Sequence, residues 1–153
     1  MHLIINNLSK RFASEWIIRD FSLELRPGSP VALTGPNGSG KSTLLQMAAG
    51  YMPPTTGTVT YHMAGKPVSP DDVFKYIGIA APYMELIEEF TLPELINFHN
   101  TFKPLAPELN AKAFAERLQI GFFPGKPVKN YSSGMKQRVK LGLALFSDTP
   151  LLL

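Results

Sequence analysis

One stretch constrains this chain more than any other: "LTGPNGSGKSTLL", from Leu33 to Leu45. Gly35, Gly38 and Gly40 precede Lys41, Ser42 and Thr43. Glycine tolerates backbone conformations closed to other residues and weakens regular structure, so the run is a loop bent for a purpose or a loose linker. The flanks decide between them. Upstream, Val31 to Thr34 is a short apolar β-type run. Downstream, "KSTLLQMAAG" has helical spacing in Leu44, Leu45, Ala48 and Ala49, with Gly50 to close it and Pro53-Pro54 to block continuation. Strand, glycine loop and helix in that order form the context of the phosphate-binding pattern G-x-x-x-x-G-K-[ST], whose fixed positions are Gly35, Gly40, Lys41 and Ser42. Successive N–H groups, those of Gly38 and Ser39 among them, make a nest for phosphate at the helix N-terminus. Lys41 is expected on the β- and γ-phosphates, and the Ser42 hydroxyl on Mg²⁺.

Composition narrows the setting. With 153 residues, 44% hydrophobic and 18% charged, the chain can bury a core and is not a disordered segment. Its charge of +3 is scattered, without the clustered cations of a nucleic-acid surface. It has no cysteine, so disulfides and thiolate metal sites are excluded. No apolar run approaches a membrane span, and the N-terminus lacks a signal-peptide pattern, so any membrane role is expected to be peripheral.

Residues 1 to 30 read as strands of a small antiparallel sheet: the first strand, the run around Trp16 to Ile18, and Phe21 to Leu25. "TVTYHMAGKPV" reads as a hairpin about Ala64-Gly65, and Lys75 to Pro82 as a further β-type run. From Phe90 the period becomes helical. Thr91 and Glu94 form a capping-box pattern, with Leu95, Phe98 and Phe102 along one face. Asn110 caps a second helix holding Ala113, Phe114, Arg117 and Leu118. A third runs from about Met135 to Phe146, with Met135, Val139, Gly142 or Leu143, and Phe146 on one side; its "LGLALF" reads as a buried-helix run. "TPLLL" opens another strand.

The octet "YSSGMKQR", Tyr131 to Arg138, opens the third helix with a Ser-rich turn. Alone, it fits a simple N-cap by Ser132 or Ser133. Paired with the phosphate loop, and with "LSKRF" and "AAGYMPPTTGTV" in the same order, it resembles the ATP-binding cassette (ABC) ATPases along the whole chain. Against that family's signature, Tyr131 stands for Leu, Ser133 replaces the first Gly and Met135 replaces Gln, while Ser132, Gly134 and Gln137-Arg138 match. The resemblance implies an α/β P-loop fold of the ABC type, incomplete here: an antiparallel β-subdomain and phosphate-loop core over residues 1–81, a helical subdomain over 82–147, and the start of the next core strand over 148–153.

The same resemblance implies ATP and Mg²⁺ as ligands and a head-to-tail dimer. In that dimer Ser132, Ser133 and Gly134 of one cassette meet the nucleotide held by the other, Asn37 and Thr43 contact γ- and α-phosphate, and Phe12 stacks on adenine, with Trp16 a weaker candidate. It implies a transmembrane permease subunit as partner, no nucleic acid, and a place on the cytoplasmic face of the membrane. There are departures. Pro82 stands where the family has a Gln, with Glu85, Glu88 and Glu89 the acids nearby. The sequence stops within the strand that normally leads to the Asp and Glu of metal binding and water activation. His2, His62 and His99 all precede the position of the family's switch His. No catalytic residue is identifiable, and the chain reads as the N-terminal part of a cassette able at most to bind nucleotide. Val31 to Thr34 is expected to lack a neighbouring strand, Leu151 to Leu153 to have little to pair with, and the chain to self-associate through this sheet edge. Alternatives are a non-transport ABC ATPase of DNA repair or translation, a non-catalytic nucleotide-binding module, and a P-loop kinase, which the signature octet disfavours.

Overall fold

The structure is a computed structural model that describes residues 1–81 and 84–153; the Pro82 position lies outside them. The chain divides into two compact units, Met1–Tyr76 and Ile77–Leu153.

The first unit is built on an antiparallel sheet of order β2-β1-β3-β4. β1 (His2–Phe12) and β2 (Glu15–Leu25) are long strands rich in Ile, Leu and Phe. Their register runs from Leu3↔Leu25 to Phe12↔Glu15 and shifts after Ile5 and after Leu8. At these irregularities Asn7 and Asp20 take positive φ, and the buried Ser9 hydroxyl accepts from the Asp20 N–H at 2.9 Å. β3 (Thr56–Met63) pairs with β1 and turns into β4 (Lys66–Pro67) through Ala64 and Gly65. Both turn residues have positive φ, as the expected two-residue hairpin requires. Leu3, Ile5 and Leu8 are buried, as are Leu44, Met47 and Ala48 of α1 (Lys41–Ala48). Tyr61 of β3 donates its hydroxyl to Ala48 O at 2.9 Å, and burial pushes its pKa up to about 12.

Two expectations fail here. Val31 to Thr34 forms no strand: it joins no ladder among the described residues, and Val31 is exposed. An isolated extended segment has no partner for its N–H and C=O groups, so apolar β propensity alone cannot hold it as a strand. Lys75 and Tyr76 belong to a 3₁₀ run, Pro70–Tyr76, so the expected β-run reduces to Ile77–Gly78.

The second unit is helical around a parallel pair, β5 (Ile77–Gly78) and β6 (Leu151–Leu152). The expectation that Leu151 to Leu153 would find little to pair with is therefore corrected. Leu153 N–H donates to Gly78 O at 2.8 Å and Ala80 N–H to Leu153 O at 3.2 Å. α2 (Leu92–Asn100), α3 (Ala111–Arg117) and α4 (Ser133–Leu145) enclose a core around Phe114, Leu92, Val128 and Val139. The caps are those read from sequence. Glu94 Oε2 accepts from Thr91 N–H at 2.8 Å, and Asn110 Oδ1 accepts from Ala113 N–H at 2.9 Å. The buried residues of α2 are Leu92, Leu95 and Ile96. Leu95, Phe98 and Phe102 line one cleft, as their spacing implies, with Phe98 and Phe102 exposed and stacked edge-on, centroids 5.4 Å apart. Likewise Leu141 and Leu145 of "LGLALF" are exposed, on the side of α4 away from Val139 and Gly142. No helix of the described residues is long and apolar enough to cross a membrane.

Candidate phosphate-binding site

The phosphate loop occupies the first unit and ends at the N-terminus of α1. Gly40 is the N-cap in the left-handed conformation, φ 88°, and among the described residues no side-chain hydrogen bond caps the helix. The first N–H groups of any helix have no intrahelical acceptor, so this terminus keeps its donors for something outside the helix. Gly35, Gly38 and Gly40 all have positive φ. At Gly40 a β-carbon would lie 3.0 Å from Ile17 Cγ2 and 3.3 Å from Ile17 O, so glycine is required by close approach as well as by φ. The contact also seats the loop against β2.

Lys41 is turned onto the loop itself. Its Nζ donates to Gly35 O at 2.9 Å, Pro36 O at 2.7 Å and Ser39 Oγ at 3.4 Å. The ammonium thus sits inside the ring of loop atoms, where it neutralises inward carbonyls. The Ser42 side chain is exposed, and no hydrogen bond ties its hydroxyl among the described residues. Asn37, Gly38 and Ser39 are exposed at the loop's tip, and Thr43 is half-buried in the first turn. Phe12 is not a core residue: it is 46% exposed at the end of the β1–β2 hairpin, with Lys10 Nζ 5.2 Å from its ring centroid. Trp16 is half-buried between the guanidinium groups of Arg11 and Arg19.

The second expected anion-binding terminus, that of α4, is built differently. Ser132 is the N-cap, and its Oγ accepts from Met135 N–H at 3.2 Å. Ser133 is the first helical residue, and nothing lies within 4 Å of where a Gly134 β-carbon would stand. Tyr131 is buried in front of the helix, its hydroxyl without a partner among the described residues, and burial pushes its pKa up. Glu88 is held by Lys136 at 2.7 Å, whereas Glu85 and Glu89 are exposed.

Two roles were invisible in the sequence. Arg138 donates to Leu118 O and Gln119 O at 3.2 and 3.0 Å, satisfying the carbonyls that end α3. Those partners lie 19 and 20 residues upstream, and no local pattern announces them. A cleft of about 260 Å³ opens in the second unit, lined by Leu86, Phe98, His99, Phe102, Lys103 and Leu143 among others. His99 Nε2 lies 2.8 Å from Ser147 Oγ, and burial, then Lys103, lowers its pKa to about 4. Among the described residues no three His, Asp or Glu side chains converge on a metal position.

The chain is similar to known proteins. The family described as "ABC transporter" matches residues 18–153. The sulfate/thiosulfate import ATP-binding protein CysA of Pseudomonas syringae pv. tomato is 30% identical, over 100% of this chain and 49% of its own length. The zinc import ATP-binding protein ZnuC of Yersinia pestis is 31% identical, over 97% of this chain and 54% of its own. The chain thus spans about half the length of the curated relatives it matches. Among solved structures, an ATP-binding subunit of an ABC transporter superposes with a TM-score of 0.81 at 23% identity, covering 99% of this chain and 65% of that one. The dimeric cassette MJ0796 bound to ADP and Pi gives 0.78 at 23% identity, covering 98% of this chain and 72% of its own.

Proposed function

The chain belongs to the ABC transporter family, and on that premise we propose that it is the nucleotide-gripping part of an ATPase subunit that couples ATP binding and hydrolysis to transport. The carrying observation is the loop from Gly35 to Ser42: uncapped helix donors, a lysine held among loop oxygens and a free serine hydroxyl in one place. A polyphosphate would draw Lys41 Nζ from Gly35 O and Pro36 O onto its own oxygens, exchanging neutral acceptors for charged ones. The exposed Asn37 and the half-buried Thr43 would add contacts to γ- and α-phosphate, and the exposed Phe12 ring would lie on adenine. Mg²⁺ keeps most of its water and binds chiefly phosphate oxygens, so one hydroxyl, that of Ser42, is the donor this loop would offer it.

Ser132, Ser133 and Gly134 would close on the nucleotide of a second cassette; the open space beside Gly134 supports such an approach. A permease subunit would be the membrane partner, at the cytoplasmic face, with the apolar cleft beside Phe98 and Phe102 as its contact. No described side chain is placed to activate water at the loop, so residues 1–153 would bind nucleotide and turn it over negligibly. The non-transport ABC ATPase and the non-catalytic module remain the alternatives, and the names of the relatives favour the transporter.

Calorimetric titration tests the reading. ATP and ADP should bind and AMP should not, because only the first two reach Lys41. Equal affinity for AMP, or no binding of ATP, would overturn it. Val31 to Thr34 joins no ladder among the described residues and leaves its backbone groups open to another chain, which supports self-association of this chain. Light scattering should show species above the monomer with or without ATP; a clean monomer at micromolar concentration refutes that part.

A further inference from the structure

The tip of the phosphate loop carries a chemical weakness. Pro36 to Ser39 is a tight turn closed by one long hydrogen bond, Ser39 N–H to Pro36 O at 3.3 Å. Gly38 has φ 83° while Asn37 is not among the residues with positive φ, so Asn37 and Gly38 are the central residues of a type II turn. Among the described residues neither the Gly38 N–H nor the Asn37 carboxamide has a hydrogen-bond partner. Both residues are exposed, and nothing lies within 4 Å of where a Gly38 β-carbon would stand. Asn37 is also the one asparagine followed by glycine; the other six precede Asn, Leu, Phe, Thr, Ala or Tyr.

We propose that Asn37–Gly38 is a spontaneous modification site, at which deamidation puts a carboxylate into the phosphate nest and bound nucleotide prevents it. The Gly38 backbone nitrogen loses its proton to solvent and attacks the Asn37 side-chain carbonyl carbon. A C–N bond forms, the carboxamide C–N bond breaks, and ammonia leaves with a solvent proton. Water then opens the resulting cyclic imide at either carbonyl. The product is a side-chain carboxylate on the original backbone, or a backbone lengthened through the side chain. No oxidant or cofactor is needed. Glycine leaves the attacking nitrogen unhindered, and one 3.3 Å hydrogen bond is little to break when the peptide rotates into line.

The loop's electrostatics favour the same step. The ammonium of Lys41 on Gly35 O and Pro36 O, together with the α1 N-terminus, stabilises negative charge here, whether on phosphate or on a deprotonated amide. Either product then places fixed negative charge where phosphate should sit. A bound phosphate reverses the outcome, because it takes the Gly38 N–H as a donor and pins the peptide that must rotate.

The protection half rests on the nucleotide-binding reading; the chemistry of the turn does not. The chain is aged in mildly alkaline buffer, with and without saturating ATP and Mg²⁺. Each asparagine is followed by peptide mass spectrometry, and isoaspartate by methyltransferase labelling. Asn37 should convert roughly tenfold faster than Asn97 or Asn130, equivalent to about 1.4 kcal/mol of barrier. ATP should slow Asn37 alone, and Asn37→Asp should weaken ATP binding roughly tenfold. Conversion of Asn37 no faster than the other asparagines overturns the proposal. Equal rates with and without ATP, in a chain that calorimetry shows to be saturated, overturn the protection. A fresh chain that binds no ATP defeats the functional reading instead, and the ageing rates without nucleotide still decide whether the site exists.

Discussion

The N-termini of α1 and α4 come from similar sequence, a Ser/Gly-rich turn running into a basic, apolar helix, yet they end in opposite states. At α1 the cap is a glycine with φ 88°, with no side-chain cap hydrogen bond among the described residues. At α4 the cap is Ser132, which accepts from Met135 N–H. The first terminus leaves its donors unused, at a cost in local stability, and keeps its lysine parked on its own carbonyls. The second satisfies itself. The contrast extends beyond the caps. Around α4 the polar groups turn inward: Arg138 onto the end of α3, Lys136 onto Glu88, and His99 onto Ser147. Backbone donors beside a cation held on neutral carbonyls are open to an anionic ligand, whereas a capped terminus has fewer donors to offer. Nucleotide affinity within one chain should therefore come from α1 almost alone.

The largest expected effect removes the cation that gives α1 its character. Lys41→Ala should cost about 3 kcal/mol of ATP binding, roughly a hundredfold in Kd, because phosphate charge would be left without its main compensating group. Calorimetry measures it. The matching change at α4, Ser132→Ala, should leave the ATP affinity of the chain unaltered. Equal losses from the two variants would erase the distinction between the termini.

The second test loosens the inward-turned network. The Ser147 hydroxyl donates to Leu143 O, so it accepts from His99, whose Nε2 must carry the hydrogen of the neutral ring. Burial lowers the His99 pKa from 6.5 to about 4. Between those values the unfolded chain binds the proton and the folded chain does not. His99 thus costs nothing above pH 6.5, and stability is lost as pH falls from 6.5 toward 4. Partial exposure screens the effect, leaving about 2 kcal/mol. Amide exchange in α2 and α4 should quicken over that window, and His99→Gln should flatten the slope while α1 behaves alike in both proteins. An unchanged slope in the variant would place the pH sensitivity elsewhere.

How far these states could be read from sequence follows from what each depends on. The glycine loop ahead of α1, the Thr91–Glu94 box, the Asn110 cap and the Ala64-Gly65 hairpin were legible because each is settled within a few residues. The exposure of Leu141 and Leu145 in the expected buried-helix run was not legible, because helical spacing gives a face, not the elements that cover it. Val31 to Thr34 misled for the same reason: β propensity is a statement about neighbours, and none is supplied there. The octet offered Ser132 or Ser133 as the cap, and the structure selects Ser132.

That cap gives a smaller effect. Ser132→Ala should cost about 1 kcal/mol in the stability of α4, while Ser133→Ala, one position inside the helix, should cost far less. Thermal unfolding of the two variants separates them. Similar losses would mean that Ser132 is not the cap that distinguishes this terminus from α1.

The smallest effect concerns a buried group beside α4 that breaks the inward-turned pattern. Among the described residues the buried Tyr131 hydroxyl, next to the capping serine, has no hydrogen-bond partner. A buried donor left unpaired carries its desolvation cost with no return. Tyr131→Phe keeps the ring, and with it the Lys126 ammonium 5.7 Å from the ring centroid, and removes only the oxygen. It should therefore stabilise the second unit, by about 0.5 kcal/mol. The sign matters more than the size. A gain on Tyr131→Phe with unchanged ATP affinity marks the hydroxyl as a plain defect in an otherwise satisfied scaffold. A loss of stability would show that the hydroxyl is satisfied after all, and that no group around α4 is left open. The contrast with α1 would then be complete rather than nearly so.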